Sequence, residues 1–406
     1  MSINLENQII GPLVTYGKNK SGLTVYGKSS QEIDRHTCNF FNYVPLSSNA
    51  PTNLNTRNKF IYIIQRDVKG LLRKVYLECV LTNSGSSAIQ FIPYYYIFDY
   101  ILIYFGNQNV RWDNDSIYHY NNLVKTDYEV TGEQVNANLS ESTYSYYNGT
   151  LAAGASITMR IDISCLIQSM GGALIDGFIE DIRLEFNTNP SSNFLTVATA
   201  SGANVTCSSW ALDLGYELLS DDDYRIRYEA CRNHAFLYKY VEPIHHISTF
   251  AGLNSNVQYN DTMKDINAKV HGMIFTLRPQ SAINENFVTF YPLNLMYIKD
   301  ASNRIIGDQE WTSNQITQFT LPMVNLNFYL SRVSLTPWIF SRSIINTLAA
   351  GVNIGSLYFT GQSESFWFSA SGSLSNVNTE MIICAYVETL IKVDGGVTTI
   401  ERITGY

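Results

Sequence analysis

Charge is what this sequence has least of. Only 15% of its 406 residues are Asp, Glu, Lys or Arg, against roughly 25% in an average soluble chain. The cations are scattered, no window holding more than two or three, and the formal net charge is −8. This argues against direct contact with nucleic acid as the main task, because neutralising phosphates takes a clustered Lys/Arg surface. Ala, Glu and Lys are scarce, which disfavours long helices. No basic stretch followed by an apolar core stands at Met1–Asn7, so no signal peptide is expected. Charge-free windows such as Cys79–Phe98 and Trp311–Ser331 are studded with Ser, Thr, Asn or Gln and do not read as membrane spans. The six cysteines (Cys38, Cys79, Cys165, Cys207, Cys231 and Cys384) include no CxxC pair. That argues against a zinc site or a disulfide framework and predicts free thiols in a soluble, cytosolically made protein.

What the chain does contain is apolar and aromatic. Hydrophobic residues make up 45%, with 28 Tyr and 20 Phe but only 5 Trp. Tyr, Phe, Ile, Val and Thr are the residues of strands, and the length suits two β domains of about 200 residues each. The first 55 residues are irregular, rich in Asn, Ser, Gly and Pro, and read as an arm. From Lys59 strands are expected in quick succession. In Leu71–Leu81 the residues Val75, Leu77, Cys79 and Leu81 alternate with Lys74, Tyr76 and Glu78, the period of a half-buried strand. Further strands are expected at Phe60–Gln65, Phe91–Phe105, Ser156–Leu166, Phe178–Phe186 and Ser208–Leu218. Short helices are expected only at Asp223–Asn233 and Ser341–Ala350.

The second half repeats the first. Leu72–Val80 has a counterpart in Asn267–Phe275, and the strand ending at Phe105, closed by Trp112, has one in Leu293–Ile298, closed by Trp311. Lys74 to Lys269 and Trp112 to Trp311 are offsets of 195 and 199 residues, which points to a duplicated domain. The acidic run Asp221–Asp223 marks the expected boundary, giving an arm over 1–55, a first sandwich over 56–220 and a second over 221–406.

Chemistry is sparse. His245-His246 is the only histidine pair, and neighbours on a strand point to opposite faces, so they cannot readily share a metal. Asp113-Asn-Asp115 has two carboxylates of a calcium loop but neither its Gly nor its distal Glu. No GxSxG, GxxxxGK[ST] or HExxH occurs. No catalytic, cofactor-binding or metal-ligating residue is therefore assigned, and the chain is not expected to be an enzyme.

The order of these segments resembles a family. Phe60–Cys79 is similar to the opening hairpin of the double-jelly-roll major capsid proteins, Asp99–Val110 to their next strand, and Gly355–Thr360 with Met381–Gly396 to their closing strands. The last of these carries Tyr386-Val-Glu-Thr389 where many relatives have Asn-Tyr-Asn. The resemblance implies an all-β fold of two tandem eight-stranded jelly-roll β-sandwiches with few short helices. It also implies a homotrimeric, pseudo-hexameric capsomer of an icosahedral shell in a virus or bacteriophage with an internal membrane. Penton or minor capsid proteins would be further partners, and the protein would be made in the host cytoplasm and reside in the virion. An aromatic- and Asn-rich surface leaves a two-domain carbohydrate- or receptor-binding sandwich as the alternative.

Low charge with abundant Tyr and Phe suits surfaces buried between copies. Candidates for the subunit interface are Tyr94, Tyr96, Trp112 and Tyr146 in the first half and Trp311, Trp338 and Trp367 in the second. Phe366 and Phe368 share one face of their strand and Trp367 takes the other. In the arm, Lys18, Lys20 and Lys28 are its only charges between Asn7 and Gln31. They would strap a neighbouring copy or face an anionic lipid surface, at about 1 kcal/mol per cation. Deleting Met1–Ser30 is expected to leave folded trimers while impairing shell assembly; normal particles in electron micrographs would remove the strapping role.

Overall fold

The computed structural model describes residues 38–45, 50–66, 68–124, 144–145, 149–195, 204–255, 257–280, 289–300, 302, 311–312, 338–340 and 357–404. In the first half, eight strands carry the architecture. They are β1 (Cys38–Pro45), β2 (Lys59–Ile63), β3 (Gly70–Asn83), β4 (Phe98–Phe105), β5 (Gln108–Asp113), β6 (Ser156–Asp162), β7 (Ile182–Thr188) and β8 (Val205–Leu218). They form two antiparallel sheets in the orders β1-β8-β3-β6 and β2-β7-β4-β5. This interleaving, first beside last and second beside last but one, is the jelly roll.

The second half comprises β9 (Ala235–Leu253), β10 (Tyr259–Thr262), β11 (Asn267–Pro279), β12 (Leu293–Lys299), β13 (Trp311–Thr312), β14 (Trp338–Phe340), β15 (Leu357–Thr360), β16 (Ser365–Ala370), β17 (Leu374–Asp394) and β18 (Val397–Arg402). Its sheets run β9-β17-β11-β14 and β10-β16-β12-β13, with β15 also on β11 and β18 added to β17. The strand order of the first half thus recurs. The two segments noted as counterparts, around Lys74 and Lys269, are the third strand of each roll, and Trp112 and Trp311 both stand in the fifth.

Strand alternation builds the core. Val75, Leu77, Cys79 and Leu81 of β3 are buried against the opposing sheet. On the outward side of the same strand, Arg160 lies on the Tyr76 ring at 4.4 Å, forms an ion pair with Glu78 and reaches Asp213 at 2.6 Å. One continuous apolar cluster runs from the first sandwich into the second. Among the described residues no helix is long and apolar enough to cross a membrane.

Two expectations change. The irregular arm does not extend to residue 55, because Cys38–Pro45 pairs with β8 from Cys38 opposite Leu218 to Pro45 opposite Ala211. An edge strand partnered on one side needs no clean alternation, so its pattern was hidden. Lys18, Lys20 and Lys28 lie outside the described residues. Tyr94–Ile97 is a 3-10 turn and not part of a strand. The acidic run opens helix α2 (Asp221–Asn233), whose N-cap Ser220 accepts from the Asp223 N–H at 3.2 Å; three aspartates there favour the positive end of the helix dipole. Every strand of the first two sheets precedes α2 and every strand of the next two follows it.

The sequence left open which face of Phe366–Phe368 is inward. Phe366 and Phe368 are fully buried, while Trp367 is partly exposed and stacks on Tyr297, ring centroids 6.0 Å apart. Phe366→Ala is expected to cost about 3–5 kcal/mol in urea unfolding, and Trp367→Ala about 1 kcal/mol, the scale of one aromatic pair.

Candidate functional site

The most elaborate polar arrangement lies where the two sandwiches meet. It starts from β5, the edge of its sheet. Alternation turns Val110 and Trp112 inward, and Trp112 is completely buried because the second sandwich closes over that edge. Its indole N–H donates to the Tyr240 hydroxyl of β9 at 2.8 Å, and that hydroxyl donates to the Leu166 carbonyl at 3.0 Å. The rings of Tyr120 and Tyr386 lie 5.5 and 6.5 Å from the indole. Trp112 is thus an interface residue, but between two halves of one chain and not between subunits.

Tyr94 and Tyr96 are also corrected as subunit contacts: both are fully buried. In a strand, successive tyrosines would alternate; in a 3-10 turn all three of Tyr94–Tyr96 turn inward. The Tyr96 hydroxyl donates to Asp115 at 2.9 Å.

Asp115 lies in the first turn of helix α1 (Asn114–Val124), which follows β5 without a break and lies on the outward face of the β9-β17-β11 sheet. There the buried guanidinium of Arg278 (β11) donates through Nη1 to Asp115 at 2.9 Å and through Nε to Glu380 (β17) at 2.8 Å. Burial pushes the Asp115 pKa up, but Arg278, His119 and His245 outweigh it, so the carboxyl stays below its ordinary range. Burial likewise opposes the Arg278 charge, which Asp115 and Glu380 restore. One arginine therefore joins an acid from each sandwich. The Asp113-Asn-Asp115 run serves this junction: Asp115 meets Arg278, and Asp113 meets His245.

His245 Nδ1 is 3.3 Å from Asp113, and its Nε2 is 2.6 Å from the Ser116 hydroxyl, with Cys384 Sγ 3.5 Å beyond. The order Asp–His–Ser is that of a hydrolytic triad, yet Ser116 is completely buried and no substrate carbonyl can reach its oxygen. On the opposite face His246 repeats the pattern, with Asp265 at 2.7 Å and Ser248 at 3.0 Å. The adjacent histidines thus serve different layers, and among the described residues no group of His, Cys, Asp and Glu could hold a metal. Burial alone would depress the His245 pKa; the Cys384 sulfur and the carboxylates of Asp113 and Asp115 reverse this and raise it to about 9. For His119 burial prevails over Asp115, and its pKa falls to about 4.

Of the remaining sequence candidates, Trp367 lies on the outward face of β16, Trp311 and Trp338 are placed by strand register only, and Tyr146 lies outside the described residues. Sequence reasoning missed Arg278, Glu380, Tyr240 and Ser116. The one available signal was Arg278 itself, a lone cation closing the apolar run Met273–Leu277.

No family model and no curated relative matches the sequence. Solved structures do. A chain of the PBCV-1 virus capsid aligns with a TM-score of 0.62 and 13% identity over 90% of this chain and 97% of that one. The Faustovirus major capsid protein aligns with a TM-score of 0.60 and 9% identity, covering 97% and 99%. A chain of the Sputnik virophage gives 0.58 and 10%, covering 91% and 89%. This is the double-jelly-roll fold of viral major capsid proteins. At such identities the likeness is one of architecture. It spans both rolls and therefore the junction between them.

Two outcomes test the junction. Arg278→Met strands two buried carboxylates and is expected to cost about 3–5 kcal/mol. The pH dependence has two limbs. His245, raised above its unfolded value of 6.5, contributes fully below that pH and progressively less as pH climbs through 9. His119, depressed below 6.5, contributes above it and loses that contribution as pH falls through 4. Urea unfolding is expected to show greatest stability near pH 6.5, and His245→Asn should flatten the alkaline limb.

Proposed function

We propose that the chain is a major capsid protein whose three copies form a pseudo-hexameric capsomer of an icosahedral shell. The observation that carries this is the repeated strand order combined with the way the two rolls pack. The first roll offers the β5 edge and α1; the second receives them on β9 and the outward face of its β9-β17-β11 sheet. The second roll has its own equivalent edge, β13, and the first its own equivalent receiving strand, β1. A head-to-tail contact of β13 against β1 of the next copy repeats the internal junction, and such contacts close into a ring when the rotation per copy allows it. Three chains give six rolls. Similar architecture in the PBCV-1, Faustovirus and Sputnik chains supports the capsid reading.

On this reading the chain works by assembly and not by turnover, with no cofactor. Trp311 is its interface residue of choice, since it occupies in β13 the position that Trp112 occupies in β5. The arm carrying Lys18, Lys20 and Lys28 would contact a neighbouring copy or an internal lipid surface, and vertices would need penton or minor capsid proteins. Light scattering after size exclusion is expected to give three times the chain mass; a stable monomer at high concentration would sink the proposal. Trp311→Ala should leave the monomer folded and weaken trimerisation by about 2 kcal/mol or more, whereas Trp112→Ala should lower folding stability by about 3–5 kcal/mol.

A further inference from the structure

The junction within the chain uses the β5 edge and the outward face of the β9-β17-β11 sheet, and the proposed ring contact uses β13 and β1. Among the described residues neither covers the outward face of β2-β7-β4-β5. Cross-strand register arranges that face in rows: Ile61 opposite Glu185, Leu102 and Arg111, then Ile63 opposite Arg183, Tyr104 and Asn109. Ile61 and Ile63 are 46% and 51% exposed, on a strand that among the described residues pairs only with β7. Two large exposed aliphatic side chains on such an edge are a feature that proteins otherwise suppress with charge, proline or a bulge.

The charges beside them are already answered within the face. Arg111 lies 3.9 Å from the Tyr100 ring centre and 2.6 Å from Asp113, and Arg183 lies 4.3 Å from the Tyr104 ring centre. Lys59 reaches Glu185 at 2.8 Å. Cations held on rings and carboxylates of their own surface can lose water without being left unpaired. Tyrosine and arginine are residues enriched at interfaces, and the two isoleucines add exposed apolar area.

Size indicates which interface. Four strands about 4.8 Å apart, each about six residues long at about 3.4 Å per residue, give roughly 400 Å², well under the roughly 800 Å² per partner of a stable complex. That is too little to hold a trimer together and suits a weak contact repeated around a capsomer. We infer that this face, centred on Ile61 and Ile63, is where one capsomer meets a copy of the same chain in its neighbour; the inference rests on the trimer reading above.

Sedimentation velocity over a concentration series tests it, on the wild type, the double variant Ile61→Asp/Ile63→Asp and the milder Ile63→Arg, with thermal melts to establish that each is folded. Wild-type trimers are expected to associate further as concentration rises, and both variants to remain trimers with association weakened at least tenfold. Ile63→Arg carries the test if the double variant does not fold. Variants that associate like the wild type, or that fall apart into folded monomers, overturn the assignment. So do wild-type trimers that stay discrete at the highest concentration. A monomeric wild type overturns the trimer reading itself, and this inference with it.

Discussion

Arg278 decides how the two sandwiches sit against each other. The apolar part of their contact, Trp112 against Tyr240, Tyr120 and Tyr386, supplies attraction but tolerates sliding, because hydrophobic burial has no direction. A buried guanidinium does not tolerate it. Taking it out of water is expensive unless carboxylates stand at hydrogen-bond distance in the plane of its donors, and Asp115 and Glu380 do so from opposite sides of the junction. One relative position of the rolls satisfies all three groups. If the same junction recurs between copies, the geometry set by this arginine within the chain is the geometry the ring must match.

The low charge noted in the sequence has a structural counterpart. Several of the cations present lie over aromatic rings, as Arg160 does over Tyr76, Arg111 over Tyr100 and Lys299 over Trp367. A ring face holds a cation in addition to any acid beside it, as Arg160 also pairs with Glu78 and Asp213 and Arg111 with Asp113. Tyrosine abundance and charge scarcity are thus two sides of one arrangement.

The polar chains on β9 show how little chemistry needs to follow from a suggestive constellation. Two Asp–His–Ser series stand on adjacent residues, His245 and His246, facing opposite layers. Each histidine bridges a serine to an acid from another element, which is what a buried imidazole with two ring nitrogens must do to be satisfied. Burial of both hydroxyls makes the chains structural ties between layers.

The sequence by itself determined an all-β sandwich or barrel, most of its strands and the duplication; the jelly roll entered through the resemblance of its segments to the capsid family. A period of two in β3, a 195-residue offset and the turn residues between runs are local signals that survive without tertiary context. It also established that Phe366 and Phe368 oppose Trp367, but not which side is the core, since alternation names two faces and not their directions. Three things were decided only by the folded chain. Tyr94–Tyr96 all turn inward because the backbone there tightens into a 3-10 turn, which tyrosine propensity does not announce. Cys38–Pro45 becomes a strand only because β8 is there to pair with it. The junction joins Asp115 to Arg278 across 163 residues, a separation at which the identity of either residue says nothing about its partner until the two sandwiches have formed.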